Sequence, residues 1–318
     1  MNKTQVGILT LLVSVGVILL ASQSFTQTET TSDQWSQWKL SEGVKFSEDL
    51  EQYRKLVFYR NYDAIERHNS RESNTFKMGL NQFSHLSVEE FDHMMSSKKG
   101  RKIEEEQLGS KVEVVAGPSN DVDWEKAGKV SPVKSQGQCD AGYAFCSNSL
   151  GESFSLMNKT SIDLSEQQIV DCSADYTTFG CSSGSRSGTL KYLQEKGVTT
   201  ETKYPWLGTK QTCKTNSSDF KLTQNLVTAN GCNEFKTQLE VSPLTVAVNT
   251  TNWQFYRSGV LENCGNDVNH DIFLVGFTEA AWRLKNSWGV RWGEYGYIRI
   301  RMGDTCGICS KPGFGYKL

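Results

Sequence analysis

The chain has almost no net charge: 34 Lys and Arg against 36 Asp and Glu leave −2 over 318 residues. A balance so close to neutral gives no electrostatic footing to a polyanion, and nucleic acid is not a partner it implies. Long hydrophobic runs are missing except at the N-terminus, over residues 6–21. That run falls short of the roughly 20 residues a membrane span needs. Cysteine is absent from the first 138 residues, and all nine cysteines follow, which assigns them to one folded unit. A single C-x-x-C, Cys306 to Cys309, has no second pair to complete a metal site, so no metal or other cofactor is expected.

What is present begins with a leader. Lys3 precedes the apolar run, and Ala21, Ser22 and Ser24 offer small residues for cleavage. This is the layout of a secretory signal peptide over 1–24, with an uncleaved anchor as the rival reading. Either way, membrane contact is expected only through this segment. Passage into an oxidising compartment makes disulfides plausible, and the sequons at Asn158, Asn216 and Asn249 fit it. The expected localisation is the secretory pathway, ending in a lysosome or vacuole or outside the cell.

Residues 25–45 are polar and read as a flexible spacer. Residues 46–95 read as a helical unit. Tyr53, Leu56, Val57, Tyr59 or Arg60, and Ile65 recur at helical steps over 46–69, with Arg54 and Glu66 turned outward. A short strand is expected over 78–83, and Ser87 with Glu90 starts a second helix as a capping box. Residues 96–118, with a KKGRK run followed by EEE, read as a solvated linker open to processing. From 119 to 318 the texture changes to Gly, Trp and Cys. Helices are expected over 144–157 and 165–172, then strands over 244–249, 272–277, 282–286 and 295–300. A mainly helical part (119–225) followed by a mainly β part (226–318) predicts an α+β fold of two lobes with a cleft between them.

Four segments carry a resemblance that runs from about residue 46 to the C-terminus. Residues 132–139 (PVKSQGQC), Asn269-His270-Asp271, the run KNSWG (285–289) with WGEYGY (292–297), and LSEQQ (164–168) through Asp171-Cys172 and Gly180-Cys181 resemble papain-family cysteine protease precursors. In the N-terminal part, Arg54, Phe58, Asn61, Ile65 and Asn69 match the family's inhibitory propeptide helix, and Gly79, Asn81 and Phe83 its next motif. Leu50 and His85 stand where that family carries Glu and Asp. The resemblance implies a papain-like two-lobe fold behind a helical propeptide, with His270 and Asn286 beside a thiolate nucleophile. It also implies that Gln136 donates to the oxyanion and that Trp288 shields the His–Asn hydrogen bond. It implies disulfides Cys139–Cys181, Cys172–Cys213 and Cys264–Cys306, leaving Cys146, Cys232 and Cys309 unassigned.

The departure is at the nucleophile. Where the family reads C-G-S-C-W-A-F, this chain reads Cys139-Asp140-Ala141-Gly142-Tyr143-Ala144-Phe145, so Gly142 occupies the nucleophile position. Cys146 lies one turn further along the same helix face, roughly 6 Å away and beyond the first turn where a helix N-terminus activates a group. It reads as a buried, inert thiol. Other cleft positions differ too. Asp140 replaces a glycine, Ser182 and Ser183 replace Asn and Gly ahead of Gly184, and Asp271 replaces a small residue in the main specificity pocket, where Lys311 could pair with it. The expected function is a catalytically inactive papain-like homologue whose cleft, with Ser183, Gly184, Asp271 and Trp288, binds peptide segments or its own propeptide. The alternatives are an active cysteine endopeptidase and a storage protein that needs no groove.

Overall fold

The computed structural model describes residues 34–95, 103–113, 121–215 and 217–317; the signal segment expected over 1–24 lies outside them. No helix among the described residues is long and apolar enough to cross a membrane.

Among the described residues the prosegment is built around three helices. Residues 34–42 are helical (α1), which corrects the spacer reading. Its turns bring Trp35 and Trp38 onto Phe58 at centroid distances of 5.3 and 5.1 Å, and all three rings are buried. Two tryptophans within four residues supply enough apolar area to fix a segment that its polar neighbours would leave unfolded.

The long helix α2 (Glu48–Asn69) buries Val57, Phe58, Asn61 and Ile65, while Tyr53 and Leu56 are exposed. The inward face is therefore rotated from the apolar stripe expected. Polar residues on that face make specific bonds. Arg54 donates to the His85 carbonyl at 3.1 Å and pairs with Glu90 at 2.7 Å. The Asn61 amide donates to the carbonyls of Ser84 and Leu86 at 2.9 and 2.8 Å. Asn69 grips Met78 like a neighbouring strand, giving and receiving one 2.9 Å bond. The strand itself, β1 (Phe76–Met78), lies earlier than expected, because Asn81 and Ser84 fold residues 79–86 into a turn. Helix α3 (Val88–Met95) starts on the capping box: Ser87 N–H donates to Glu90 at 2.8 Å and Glu90 N–H to Ser87 Oγ at 3.2 Å.

After the prosegment come β2 (Ser110–Lys111), β3 (Val122–Asp123), and helices α4 (Gly142–Met157), α5 (Glu166–Cys172) and α6 (Arg186–Glu195). The chain continues through β4 (Leu226–Ala229), α7 (Gly231–Leu239), β5 (Leu244–Val248), β6 (Tyr256–Leu261), β7 (His270–Phe277), β8 (Ala281–Lys285), β9 (Tyr297–Arg301) and β10 (Gly313–Tyr316). The strands form one sheet in the order β1-β6-β9-β8-β7-β5-β10-β4-β2, with β3 on β7. One hydrophobic cluster lies among α4, α5 and α6 and another within the strands, the α+β, two-lobed arrangement expected. Both ends of the sheet are closed by the segment preceding the two lobes. β1 pairs antiparallel with β6, and β2 pairs parallel with β4. Residues 103–113 are thus docked, not a solvated linker, and Leu108 is buried in the helical lobe's cluster.

Candidate functional site

Three chain turns converge where the lobes meet. Helix α4 begins at Gly142, β7 begins at His270, and Asn286 follows directly on β8. Register sets them: Val248 of β5 pairs with His270, and the Asn286 N–H is held by the Gly296 carbonyl at 2.9 Å. Asn286 Oδ1 accepts the Ser287 N–H at 2.8 Å, so it is an acceptor, and His270 Nε2 at 2.9 Å carries the proton that it takes. With Nε2 on Asn286, the Nδ1 edge of the imidazole faces α4. A β-carbon added to Gly142 would stand 3.2 Å from His270 Nδ1, 3.1 Å from Cε1 and 2.7 Å from the Asp271 carbonyl oxygen. The helix N-terminus, the imidazole and the Asp271 backbone are thus closed together over a position with no side chain.

Around this pair the walls are aromatic. The Trp288 ring lies 5.1 Å from that of His270 and packs edge-on against Trp253 and Trp292. From the prosegment, Phe83 and Phe91 meet Trp288 at 5.5 and 5.7 Å, and Gln82 donates to its carbonyl. Gln136 is buried; its amide donates to the Cys139 carbonyl at 2.8 Å and accepts from Ser287 Oγ at 2.5 Å. Its backbone is zipped to the same segment by the Gln136 N–H on Ser287 O.

Next to Asn286 along the chain, Lys285 enters a buried ionic group. Lys285 is fully enclosed and donates to Ser131 and Ser149 at 2.9 and 3.2 Å; burial pushes its ammonium down to about 8. Lys134 supplies the permanent cation, reaching Glu152 at 2.8 Å, Asp163 at 2.7 Å and Glu166 at 2.9 Å. Burial drives Glu166 up to about 8 against the pull of Lys134. This group fastens α4, α5 and the end of β8 to one another.

The second feature of the cleft is a buried arginine that the sequence reading did not single out. Arg186 opens α6 with its side chain 1% exposed, and its Nε lies 3.1 Å from Asp271 Oδ1. The cation that meets Asp271 is therefore Arg186, while Lys311 is exposed. Its Nη1 donates to the carbonyls of Thr245 and Pro312 at 3.1 and 2.9 Å. Nearby, Ser183 is buried with φ of 107°, backbone territory that favours glycine, and its hydroxyl has no partner among the described residues. Gly184 is held against Tyr143, whose ring would come within 2.6 Å of any β-carbon there. A bulky residue at 184 would therefore disturb Tyr143 as well as the groove wall.

Four disulfides brace the two lobes: Cys139–Cys181, Cys172–Cys213, Cys264–Cys306 and Cys232–Cys309. Both cysteines of the C-x-x-C are thereby committed to separate bridges. Cys146, outside these bridges, is buried within α4, its Sγ 3.5 Å from the Tyr143 carbonyl. Of the sequons, Asn158 is exposed and Asn216 lies outside the described residues. Asn249 is buried with its amide on the Asp267 carbonyl at 2.6 Å, so it does not present a glycan site in the folded chain.

Comparison with known proteins agrees with this architecture. Residues 118–315 match the papain family cysteine protease, and residues 35–91 match the cathepsin propeptide inhibitor domain (I29). The chain is 33% identical to cathepsin L 2 of Paramecium tetraurelia over 311 residues, covering 96% of this chain and 98% of that one. It is 34% identical to digestive cysteine proteinase 3 of Homarus americanus over 308 residues, covering 90% and 95%. Among solved structures, digestive procathepsin L 3 of the Tenebrio molitor larval midgut superposes with a TM-score of 0.81 at 30% identity, covering 91% of this chain and 99% of that one. A helical prosegment on a two-lobed, disulfide-braced domain, matched over nearly its whole length, places this chain in the papain family of cysteine proteases, with a cathepsin-type propeptide.

Proposed function

We propose that this chain is a catalytically silent papain-family homologue, made as a secreted or lysosomal proform, whose cleft binds peptide segments without cutting them. One observation carries the reading: Gly142 is the first residue of α4 and faces His270, at the position where the family's motif has its cysteine. An imidazole oriented by an amide has nothing there to deprotonate. In a comparable serine hydrolase, loss of the nucleophile costs on the order of 10⁶ in rate, leaving roughly 10³ to 10⁴ over water. Cys146 is a poor substitute, being buried a turn deeper with its thiol directed at the Tyr143 carbonyl. The cleft walls nevertheless remain built, and Glu105 of the prosegment rests on the first turn of α6 beside Asp271's partner Arg186.

The closeness of the Asp271 carbonyl makes the silence more than the loss of one thiol. A side chain at 142 needs the start of β7 to retreat, since 2.7 Å is shorter than any ordinary carbon–oxygen contact. Gly142→Cys is expected to cost about 1–3 kcal/mol of stability, the usual range for overpacking, and to restore only a small fraction of peptidase activity. The test is hydrolysis of a peptide library at acid pH by the processed natural chain, beside Gly142→Cys and Cys146→Ala. Silence of the natural chain is the expected result. Ordinary turnover that survives Cys146→Ala would sink the proposal.

A further inference from the structure

The cradle at the start of α6 has an occupant of its own. Glu105, in the segment before the peptidase domain, is 8% exposed and sets its carboxylate against the first turn of α6. It accepts from Ser185 Oγ at 2.9 Å, the Arg186 N–H at 3.1 Å, the Ser187 N–H at 2.8 Å and Ser187 Oγ at 2.7 Å. Arg186 Nε stands 3.4 Å away. Burial works against its charge, yet the Arg186 guanidinium and the Ser187 and Arg186 donors outweigh it and hold the carboxyl below its usual range. The flanking backbone is gripped too. Glu106 N–H donates to Ser187 Oγ at 3.0 Å and its carboxylate meets Lys191, while Leu108 exchanges two 2.8 Å bonds with Thr228.

We propose that Arg186, Ser185 and Ser187 make this cleft selective for peptides that present a glutamate side chain, the prosegment's Glu105 being the built-in occupant that a ligand replaces. The inference rests on the peptide-binding reading above and adds the chemical class of the ligand. Donors select it more than net charge does, because Asp271 already balances the guanidinium. Four donors converge on two oxygens, with the guanidinium beside them. A glutamine would turn an amide NH2 toward N–H groups and leave buried donors unmet, the situation that discriminates most strongly. The location suits a specificity role, since Asp271, which holds Arg186, directly follows His270.

The test uses the full-length chain carrying Glu104→Gly, Glu105→Gly and Glu106→Gly, which strips the carboxylates from the cradle. The probes are the acetylated peptide Ile-Glu-Glu-Glu-Gln-Leu, copied from residues 103–108, and the same peptide with Gln at its middle Glu. Calorimetry is expected to show the Glu peptide binding at least about tenfold more tightly, the difference made by charge-assisted hydrogen bonds. Because Arg186 is too enclosed for a safe substitution, Ser187→Ala added to the stripped chain serves as the second variant. It should weaken the Glu peptide several-fold and the Gln peptide less, because both lose the backbone N–H bond of residue 106 to that hydroxyl and only the Glu peptide loses a charge-assisted bond as well. Equal affinities for the two peptides, or equal weakening of both by Ser187→Ala, would overturn the selectivity and leave peptide binding intact. Failure of both peptides to bind would overturn the selectivity alone, because the prosegment backbone, still fastened by Leu108 to Thr228, would keep added peptides out.

Discussion

Ser183 holds a conformation that suits the residue the family's motif carries there. At φ of 107° a β-carbon costs roughly 1–3 kcal/mol, and here the hydroxyl gains no bond among the described residues to offset it. Ser183→Gly is therefore expected to raise stability by about 1 kcal/mol, read as a higher denaturant midpoint at unchanged slope. No gain, or a loss, would show that the neighbours require the hydroxyl. Gly142 is the opposite case, a residue without a side chain set where a β-carbon would meet His270 and the Asp271 carbonyl. Both residues could be picked out by comparison with the motifs that the chain resembles. The contact between Gly142 and the Asp271 carbonyl could not, because it depends on how far β7 settles toward α4.

At the scale of elements, the prosegment hairpin contains a titrating residue where the family carries a carboxylate. His85 lies between Trp38 and Phe46, at centroid distances of 5.5 and 5.3 Å, with Arg54 of α2 and Glu90 of α3 as its charged neighbours. Burial, helped by Arg54, pushes its imidazole down to about 4 from an ordinary 6.5. The folded hairpin thus binds fewer protons than the unfolded one between those values. Its stability is full above about pH 6.5 and drains as pH falls toward 4. Protection factors in α1 and α2, taken relative to intrinsic exchange at each pH, should fall by on the order of tenfold or more across that window. His85→Phe, which keeps a ring and removes the titration, should flatten the response; an unchanged profile would exclude His85 as its source. Elements with regular apolar patterns, such as β5, β7 and α4, were readable from the sequence to within two residues. The inner face of α2 was not, since Arg54, Asn61 and Asn69 point inward to backbone carbonyls and carry no hydrophobic signal. Helix α6 escaped notice for the same reason: its buried Ser185, Arg186 and Ser187 read as surface until Asp271 and Glu105 are placed beside them.

For the molecule as a whole, the sheet is bounded at both ends by the leading segment, β1 on β6 and β2 on β4. A chain that shed this segment would lose more than an inhibitor. Two rows of backbone donors and acceptors, at opposite ends of one sheet, would be left open to any extended strand. One bound its former neighbour antiparallel and the other parallel, so they are not copies of a single self-matching patch. Contacts between unlike patches join subunits head to tail and do not close into a dimer. Sedimentation of the processed chain should accordingly show a concentration-dependent series of species, and the proform a single monomer. In that respect the prosegment serves as a guard against polymerisation, a duty that persists whether or not there is any proteolysis left to restrain.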